Sequence, residues 1–356
     1  MQYKRLGRTN LDVSIIGLGG LHLTRLKNVA AVQLIMRASE LGINLVEVGK
    51  SYIESEEKTG MVMQKYRQKY IIASKTHRRD RESALKDINS SLSSLRTDYI
   101  DIYQLHQVDS LDALEMVSSP NGALAALKQA RDEGKIGYIG ITGHSPPMLM
   151  KALETGEYDT VQVLFNMAER EALKELIPFA KKMDIGILGM KPFGGGIFLD
   201  DESRISQALM QYTGSVTDTL LKFSMSYDIS CVLTGVKTIE ELEQNTAAAS
   251  RFTPFSDKEL DSITGMLDTM GMQGSAFCHR CGYCMSCPSH IDIPYILRMD
   301  EYFQRFGESK MTVETYRHMK NNVDMCKQCG LCEKKCPFGL PVREMLIKAH
   351  KRLSAG

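Results

Sequence analysis

The sequence predicts an α/β protein: a (β/α)8 barrel followed by a small, mainly helical domain rich in cysteine. Between residues 15 and 235, eight short apolar runs alternate with amphipathic helical patterns. Eight of the nine cysteines lie further along the chain, between residues 278 and 336. We therefore expect a barrel domain at residues 1–270 and a second domain at residues 271–356 of the 356-residue chain.

The eight apolar runs are predicted to be strands. Most are continuous rather than alternating in polarity, which is typical of parallel strands with both faces buried. Right-handed crossovers through the intervening helices would close eight such units into a TIM barrel. The strands are expected at Ile15–Gly19, Asn44–Val48, Ile71–Lys75, Ile100–His106, Tyr138–Thr142, Thr160–Phe165, Ile185–Met190 and Cys231–Gly235.

The segments between the strands have the apolar spacing of helices. Ser83 and Ser215 are expected N-caps, and Gly42 is expected just beyond the end of the first helix. An open, doubly wound sheet is the alternative fold, but Gly17-Leu18-Gly19-Gly20 lacks the third glycine of its usual fingerprint. The helices are expected at Val29–Leu41, Ser83–Leu95, Ala123–Glu133, Pro147–Thr155, Glu171–Met183, Val216–Tyr227 and Asp257–Met270.

Composition indicates a cytoplasmic protein without a membrane span. The chain opens on polar residues rather than a signal-like apolar stretch, and no run approaches the roughly 18 apolar residues of a transmembrane helix. The formal net charge is +1, so no overall field points to nucleic acid. Cys231 stands apart from the other cysteines, inside the last predicted strand, and is expected to be a small buried hydrophobic residue.

The eight clustered cysteines are expected to bind metal. A reducing cytosol and tight in-line spacing both argue against disulfides. Where two residues separate successive cysteines, three thiolates from one loop can cap three corners of a four-iron cubane. The fourth cysteine of each motif lies beyond that loop and is followed by a proline. Two [4Fe-4S] clusters are therefore predicted, with two zinc sites as the alternative. The motifs are Cys278-x2-Cys281-x2-Cys284-x2-Cys287-Pro288 and Cys326-x2-Cys329-x2-Cys332-x3-Cys336-Pro337.

This module resembles the bacterial dicluster ferredoxins. The insert between the motifs looks helical, at Ile293–Phe306 and Val313–Asn321, so the resemblance is closer to helical ferredoxin domains. In two-cluster ferredoxins the fourth cysteine of each motif ligates the other cluster. One departure is the two-residue spacing before Cys287, where three residues are usual. The resemblance implies one cluster held by Cys278, Cys281, Cys284 and Cys336, and another held by Cys326, Cys329, Cys332 and Cys287.

The two parts of the chain differ in charge. Residues 271–356 contain 13 Lys/Arg and 8 Asp/Glu, which leaves a net of −4 for the first 270 residues. A basic tail could bind nucleic acid. Two oxidised clusters with eight thiolates would carry about −4, however, and buried charge needs compensation nearby. We therefore interpret the basic residues as compensation and expect no nucleic-acid partner. Gly271-Met272-Gln273-Gly274 is expected to be the linker.

Four chemically capable side chains are predicted at one rim of the barrel, because such barrels place their sites at the carboxyl ends of the strands. Glu47 ends the second predicted strand and Tyr52 follows five residues later. Lys75 ends the third, and His106 ends the fourth. Each has an ordinary structural explanation alone, but four together indicate a catalytic site.

With this tetrad in place, the barrel resembles the aldo-keto reductase family, over about residues 2 to 250. Together with the cysteine module, the chain resembles the subgroup with a ferredoxin-like extension. Glu47 departs from the Asp usual in the family, and Val48-Gly49 replaces the usual Thr-Ala. The matching segments are Gly42-Ile43-Asn44-Leu45-Val46-Glu47-x4-Tyr52, Ile71-Ile72-Ala73-Ser74-Lys75, Asp98-Tyr99-Ile100-Asp101-Ile102-Tyr103-Gln104-Leu105-His106, Gly134-Lys135-Ile136-x3-Gly140-Ile141-Thr142 and Lys191-Pro192-Phe193-Gly194-Gly195-Gly196.

The resemblance implies hydride transfer from NADPH or NADH to an aldehyde or ketone, or the reverse oxidation of an alcohol. Tyr52 would donate the proton, and Lys75 would lower the pKa of that phenol. His106 would orient the carbonyl, and Glu47 would hold Lys75. The nicotinamide cofactor would lie against Gly19, Gly20, Thr142, Gln162, Asn166, Met190, Lys191, Pro192, Phe193, Gly194, Gly235, Lys237, Gln244 and Asn245.

Lys237 could contact a 2′-phosphate, while Glu241 stands where some NADPH-specific relatives carry a basic residue. NADPH is slightly favoured as the cofactor.

Three functions follow from these expectations. The first is a carbonyl reductase whose clusters are structural or aid docking. The second is an electron-transfer enzyme whose clusters exchange electrons with the barrel site or with a redox partner protein. The third is a barrel that has lost catalysis and serves as a scaffold. The first is favoured because hydride carries two electrons and each cluster carries one, and no flavin motif is evident. The specificity loops, at Asp109–Asn121 and Ile197–Gly214, do not identify the substrate.

Overall fold

The computed structural model describes residues 1–52, 54–194, 204–269, 278, 283–306, 310–336 and 340–355. Contacts between Cα atoms divide the chain into two units. The first consists of Met1–Phe193 and Leu220–Ser256, and the second of Gly194–Thr219 and Asp257–Gly356. The predicted boundary after residue 270 and the linker at 271–274 lie outside the described residues. The division places the helix Asp257–Thr269 with the second unit.

The first unit contains the predicted closed barrel. All eight predicted strands are present, parallel throughout, and their order around the barrel follows the chain. Nearly every strand residue is buried, which explains why the runs are continuously apolar. The barrel strands are β3 (Ile16–Gly19), β4 (Leu45–Glu47), β5 (Ile71–Thr76), β6 (Ile100–Leu105), β7 (Ile136–Gly143), β8 (Thr160–Leu164), β9 (Gly186–Met190) and β10 (Cys231–Thr234).

A short hairpin that the sequence analysis missed precedes the barrel. Its strands, β1 (Tyr3–Arg5) and β2 (Asp12–Ser14), pair antiparallel. Leu6 and Val13 are fully buried in a cluster with side chains from the barrel strands, so the hairpin closes the amino-terminal end of the barrel. Gly7 makes the turn with a φ of +50°, and a Cβ there would lie 2.3 Å from the backbone nitrogen of Gly186. Only glycine fits this contact without a shift of the backbone.

The seven predicted helices are present with small shifts at their ends, and four further helices within the described residues were not predicted: Ser55–Tyr66, Leu111–Ser118, Arg204–Thr213 and Ile239–Ser250. The segment predicted as Glu171–Met183 begins with a 3-10 turn, Glu171–Leu173, before its helix starts. The helices up to residue 269 are α1 (Asn28–Glu40), α2 (Ser55–Tyr66), α3 (Arg81–Leu95), α4 (Leu111–Ser118), α5 (Ala123–Asp132), α6 (Pro146–Leu153), α7 (Leu176–Lys182), α8 (Arg204–Thr213), α9 (Val216–Met225), α10 (Ile239–Ser250) and α11 (Asp257–Thr269).

Two of the three predicted helix ends are confirmed. The Ser215 hydroxyl accepts a hydrogen bond from the Asp218 nitrogen at 3.3 Å, as an N-cap does. Gly42 follows α1 with a φ of +90°. The prediction for Ser83 is wrong: Asp80 caps α3 by accepting from the Ser83 nitrogen, because the helix begins two residues earlier than its apolar pattern.

The part of the second unit after residue 278 is helical, with short turns that carry the cysteines. Its core is apolar and includes Ile296, Tyr316, Leu346 and Leu353, all buried. The second insert helix spans Lys310–Arg317 rather than the predicted Val313–Asn321, and Asn322 caps the turn that follows. The helices are α12 (Ile293–Phe306), α13 (Lys310–Arg317), α14 (Leu331–Lys334) and α15 (Val342–Ala355). Within the described residues, no helix has the length and apolarity that a membrane span requires.

Candidate functional sites

The structure brings the predicted tetrad together at the carboxyl-end rim of the barrel. Glu47 is the last residue of β4, and Lys75 lies one residue before the end of β5. His106 follows β6 directly. Tyr52 lies in the turn after β4, where its nitrogen donates to the Gly49 carbonyl at 2.8 Å. The tetrad therefore lies at the carboxyl ends of three adjacent strands, β4, β5 and β6.

Lys75 and Glu47 form a buried ion pair. The Lys75 ammonium donates to Oε1 of Glu47 and, at 2.6 Å, to the carbonyl of Val48. Lys75 is fully buried and Glu47 nearly so. Burial lowers the pKa of Lys75, and the charge of Glu47 opposes that shift. Glutamate at this position therefore reaches Lys75.

The relation between Lys75 and Tyr52 differs from the expectation. The Lys75 ammonium lies 4.3 Å from the centroid of the Tyr52 ring, over its face, which is a cation–π contact. The pKa of Tyr52 is raised well above its usual value, first by burial and then by the charge of Glu47. The net pKa is therefore raised, not lowered as expected, because burial and Glu47 outweigh Lys75, and the protein holds Tyr52 as a neutral phenol.

His106 is held neutral beside Tyr52. Its ring meets the Tyr52 ring edge-on, with centroids 5.8 Å apart, and lies against the His77 ring at 3.9 Å with a tilt of 33°. The Ser51 hydroxyl lies 3.4 Å from its Nδ1. Burial, followed by the nearby Lys75 ammonium, lowers the pKa of His106 well below its usual value. A neutral imidazole keeps one N–H with which to donate to a carbonyl oxygen.

A buried amide network extends the tetrad across the barrel. Gln162 Nε2 donates to Glu47 Oε1 at 2.8 Å, and Gln104 Nε2 donates to Gln162 Oε1 at 3.0 Å. The sequence analysis predicted Gln162 as a cofactor contact but missed Gln104. The signal was present, because Gln104 stands two residues before His106 in the same strand and so points to the same face.

A second polar chain that the sequence analysis missed lies at the ends of β7 and β9. His144 Nδ1 lies 3.3 Å from Asp109 Oδ2, and its Nε2 lies 3.0 Å from the Lys191 ammonium. Burial alone would raise the pKa of Asp109, but hydrogen bonds from His144 and Ser145 bring it below its usual value. This chain fixes Lys191, a predicted cofactor residue, whose φ is +61°.

The predicted nicotinamide residues lie at neighbouring strand ends. Thr142 and Gln162 are partners across β7 and β8, and Met190 ends β9. Pro192, Phe193 and Gly194 follow β9 and are buried. Asn166 is also buried, but its amide and carbonyl bind Glu169 and Ala168 in its own loop and the Lys191 carbonyl after β9. Asn166 therefore holds the backbone of Lys191 in place.

The predicted adenosine end lies where β3 and β10 finish. Gly19 and Gly20 follow one another there; a Cβ on Gly20 would lie 2.5 Å from the Glu47 carbonyl, so protein packing alone already requires glycine. Gly235 contacts the His22 ring, whose pKa is lowered by burial and then by Lys237. The buried Nδ1 of His22 has no hydrogen-bond partner among the described residues.

The remaining residues predicted to contact the adenosine part of the cofactor lie just before α10 or within it. The Glu241 carboxylate accepts from the Lys237 nitrogen at 2.7 Å. Lys237 and Gln244 are exposed, whereas Asn245 is buried.

Four cysteines of the second unit line one cavity: Cys287, Cys326, Cys329 and Cys332. This set joins the fourth cysteine of the first motif to the first three of the second, which is the combination that the ferredoxin resemblance implies. Among the described residues, no three His, Cys, Asp or Glu side chains converge closely enough for a single metal ion. Four cysteine side chains at one cavity are the ligand type that four-iron clusters use.

The other four cysteines are described in part. Cys278, Cys284 and Cys336 pack with the hydrophobic core of the second unit, while Cys281 lies outside the described residues. Cys231 is a free thiol, fully buried in β10, where burial raises its pKa far above its usual value. It is the small buried residue that was predicted.

Comparison with known proteins identifies the family. The model of the aldo/keto reductase family matches residues 15–268, which is most of the chain. The chain belongs to the aldo/keto reductase family. It is an oxidoreductase of that type, and a model described as a 4Fe-4S dicluster domain matches residues 277–341. The predicted subgroup, a reductase barrel with a ferredoxin-like extension, is thereby confirmed.

Relatives of this reductase align over most of their length. An uncharacterized oxidoreductase of Bacillus subtilis, YqkF, is 27% identical over 74% of this chain and 97% of its own. The L-galactose dehydrogenase of Arabidopsis thaliana is 27% identical over 70% of this chain and 88% of its own. Among solved structures, the aldo-keto reductase AKR11C1 from Bacillus halodurans superposes with a TM-score of 0.67 at 22% identity, over 75% of this chain and 96% of its own.

A Klebsiella pneumoniae aldo-keto reductase, solved in complex with NADPH, has a TM-score of 0.62 at 21% identity, over 74% of this chain and 94% of its own. At such identities these two structures show the shared fold alone.

Proposed function

We propose that this protein reduces an aldehyde or ketone with NADPH, or oxidises the corresponding alcohol, at the rim formed by Tyr52, Lys75, His106 and Glu47. The observation that supports this most strongly is the neutral Tyr52 phenol lying against the neutral His106, both beside a buried Lys75–Glu47 pair. Of these two neighbouring side chains, one can donate a proton and the other a hydrogen bond.

Each residue has a distinct part in the proposed reaction. Tyr52 donates its hydroxyl proton to the carbonyl oxygen, since the protonated form is the one that the site favours. His106 donates an N–H to the same oxygen and fixes its direction. The Lys75 ammonium, held by Glu47, stabilises the negative charge that Tyr52 acquires as its proton leaves. The bound nicotinamide supplies the hydride that adds to the carbonyl carbon.

The residues present fit a nicotinamide cofactor. Thr142 and Gln162 offer polar groups beside the tetrad, and Lys191 is fixed by His144 at the neighbouring strand end. Lys237 is the proposed contact for a 2′-phosphate, and the Glu241 carboxylate is turned towards the Lys237 backbone nitrogen. NADPH is also the ligand of the Klebsiella relative.

The proposed cluster ligands are the two sets given by the ferredoxin resemblance. Cys287, Cys326, Cys329 and Cys332 share a cavity, which supports the second set. The first set is Cys278, Cys281, Cys284 and Cys336. When bound, [4Fe-4S] clusters supply one-electron chemistry. The protein is proposed to act in the cytoplasm, where thiolates stay reduced.

A second candidate function is electron transfer to or from a redox partner protein. The specific observation in its favour is that Cys329 is exposed, whereas Cys332 is buried. A purely structural cluster has no need of a ligand at the surface.

Anaerobic purification with iron and sulfide counts, followed by a carbonyl and alcohol screen, tests both functions. Tyr52→Phe should reduce kcat/KM about 10²- to 10⁴-fold for a reductase. Unchanged NADPH oxidation in that variant would show that Tyr52 is not the proton donor. Clusters that keep one redox state throughout turnover would rule out electron exchange between the clusters and the barrel site.

A further inference from the structure

The cavity of four cysteines opens to solvent on one side. Cys329 is exposed, whereas Cys287 and Cys326 are half-buried and Cys332 is buried. A cluster in this cavity would therefore come closest to solvent at the sulfur of Cys329. Since electron transfer slows steeply with distance, Cys329 marks where an outside electron carrier would approach.

Three exposed lysines lie in the segment that carries Cys329. Lys327 lines the cavity itself. Lys334 and Lys335 lie at the end of α14, three and four residues after Leu331 and so on the same side of the helix. All three are exposed, and none forms an ion pair within the part of the chain that the structure describes.

The two acidic residues of this segment already have partners. Glu333 accepts from Nε of Arg343 at 2.8 Å, and Asp324 lies 3.4 Å from Nε2 of His350. The positive charge of the three lysines is therefore not neutralised by the carboxylates beside them.

Apolar side chains stand among these charges. Leu331, which also lines the cavity, is 40% exposed, and Met325 is 53% exposed. Exposed apolar side chains ringed by charge are typical of surfaces that bind another protein. Compensation of the cluster charge alone explains the lysines but not the apolar residues.

We propose that this surface, the Cys329 face, docks an acidic one-electron carrier protein that exchanges electrons with the cluster through Cys329. The Cys329 face consists of Cys329, Lys327, Leu331, Lys334 and Lys335. In each encounter the carrier loses one electron and the cluster gains it, or the reverse, and no covalent bond changes. The proposal rests on the cluster assignment made above. Complementary charge can accelerate such encounters 10- to 10³-fold.

The first test uses the native protein and stopped-flow mixing without oxygen. Reduced flavodoxin, an acidic carrier, serves as the probe, and the visible absorbance of the clusters reports their reduction. The rate should fall as salt rises, because screening weakens the attraction. The cationic methyl viologen radical should show the opposite salt dependence. A flavodoxin rate that does not respond to salt would overturn the proposal.

The second test reverses charge on the Cys329 face. Lys327→Glu, Lys334→Glu and Lys335→Glu together should slow flavodoxin at least tenfold at low salt, within the range expected for steering. The matched control is Lys151→Glu, Lys174→Glu and Lys182→Glu, three exposed barrel lysines with the same change in net charge. Dithionite, which is small, should reduce all three proteins alike. Equal flavodoxin rates in both triple variants would overturn the proposal.

Iron and sulfide counts distinguish a failure of the cluster assignment from a failure of the docking surface. A native protein without iron would refute the cluster assignment itself. Full clusters that dithionite reduces, together with an unaltered flavodoxin rate in the Cys329-face variant, would refute only the docking surface. If the glutamate variant loses iron, the corresponding glutamine variant replaces it in the rate comparison. The salt dependence of the native protein then tests the docking surface without any substitution. Competition between flavodoxin and a DNA oligonucleotide would identify the face as a nucleic-acid surface instead.

Discussion

The side-chain amide of Gln162 donates a 2.8 Å hydrogen bond to Oε1 of Glu47, the same oxygen that accepts from Lys75. Gln162 lies on β8 and Glu47 on β4, which stand opposite each other in the closed barrel, so the bond crosses the barrel axis. Glutamate has one methylene more than aspartate and can span this gap. The departure from the family's Asp thus connects the ion pair to a predicted cofactor residue.

This connection predicts that Glu47→Asp tightens cofactor binding. A shorter carboxylate would release Gln162, which could then bind the nicotinamide carboxamide without first breaking a bond. One hydrogen bond is worth about 1 kcal/mol, so the Kd for NADPH should fall about fivefold. The measurement is NADPH titration by fluorescence. In a Gln162→Met background Glu47→Asp should have no such effect; an equal effect there would disprove the connection.

Glu47→Gln should destabilise the barrel. Lys75 would keep its buried position without a counter-charge, and breaking a buried pair costs about 3 kcal/mol or more. The free energy of unfolding from urea titration is the measurement. Glu40→Gln serves as the control, because Glu40 pairs with Arg37 at the surface and should matter little. A Glu47→Gln protein as stable as the native one would mean that Lys75 is buried without charge.

Activity should show no loss from Tyr52 ionisation up to about pH 10. The pKa of Tyr52 is raised well above its usual value near 10, so the phenol stays protonated across the working range. The measurement is the pH profile of kcat for carbonyl reduction. A fall in kcat between pH 7 and 9 that is absent in Tyr52→Phe would contradict the raised pKa. It would instead support the lowered Tyr52 pKa that the sequence led us to expect.

Stability should fall as the pH drops below about 6.5. The pKa of His106 is well below its usual value in the folded protein. Between the folded and unfolded pKa values, the imidazole therefore binds a proton in the unfolded chain but not in the folded protein. The cost is about 1.4 kcal/mol for each pH unit below 6.5, until the folded pKa is reached.

Urea unfolding at pH 7.5 and 5.5 measures this cost. His106→Gln should reduce the pH dependence, leaving the same-direction contributions of His22 and His77. The exposed His318 provides the control variant. An equal slope in His106→Gln and the native protein would refute the buried, neutral state of His106.

Cys287→Ala should remove the cluster that the second motif holds. The four-cysteine cavity combines Cys287 with cysteines of that motif, so iron should fall by about half. The remaining spectrum should match that of Cys326→Ala and differ from that of Cys284→Ala. Iron counts and electron paramagnetic resonance are the measurements, and Cys231→Ala should retain full iron. A Cys287→Ala spectrum that matches Cys284→Ala would show that each motif holds its own cluster.

The barrel was predictable because its signals are local. Each strand is a buried apolar run, and the residues just after the runs fall on one rim by topology alone. The hairpin at Tyr3–Ser14 was missed because its strands have three residues each and mixed polarity. The capping error at α3 has a similar origin: Asp80 and Ser83 are both good caps, and only the backbone decides between them.

The site was predictable in its members but less so in its electrostatics. Lys75 and Tyr52 were expected to interact through the hydroxyl, yet the ammonium lies over the ring face. The sequence cannot show that burial and Glu47 outweigh Lys75 in setting the pKa of Tyr52, because these effects depend on distances. Gln104 could have been found from its spacing, two residues before His106, but its hydrogen bond to Gln162 depends on the folded barrel.

The hairpin at the amino-terminal end has a kinetic consequence. Leu6 and Val13 pack into that end with barrel-strand side chains, so within the described residues the proposed ligands would approach from the rim where the tetrad lies. A cofactor and a substrate bound at the proposed site would therefore enter and leave by the same rim. The molecule that reaches deeper has to arrive first and depart last, so turnover should follow a compulsory order and departure of the deeper molecule can limit its rate.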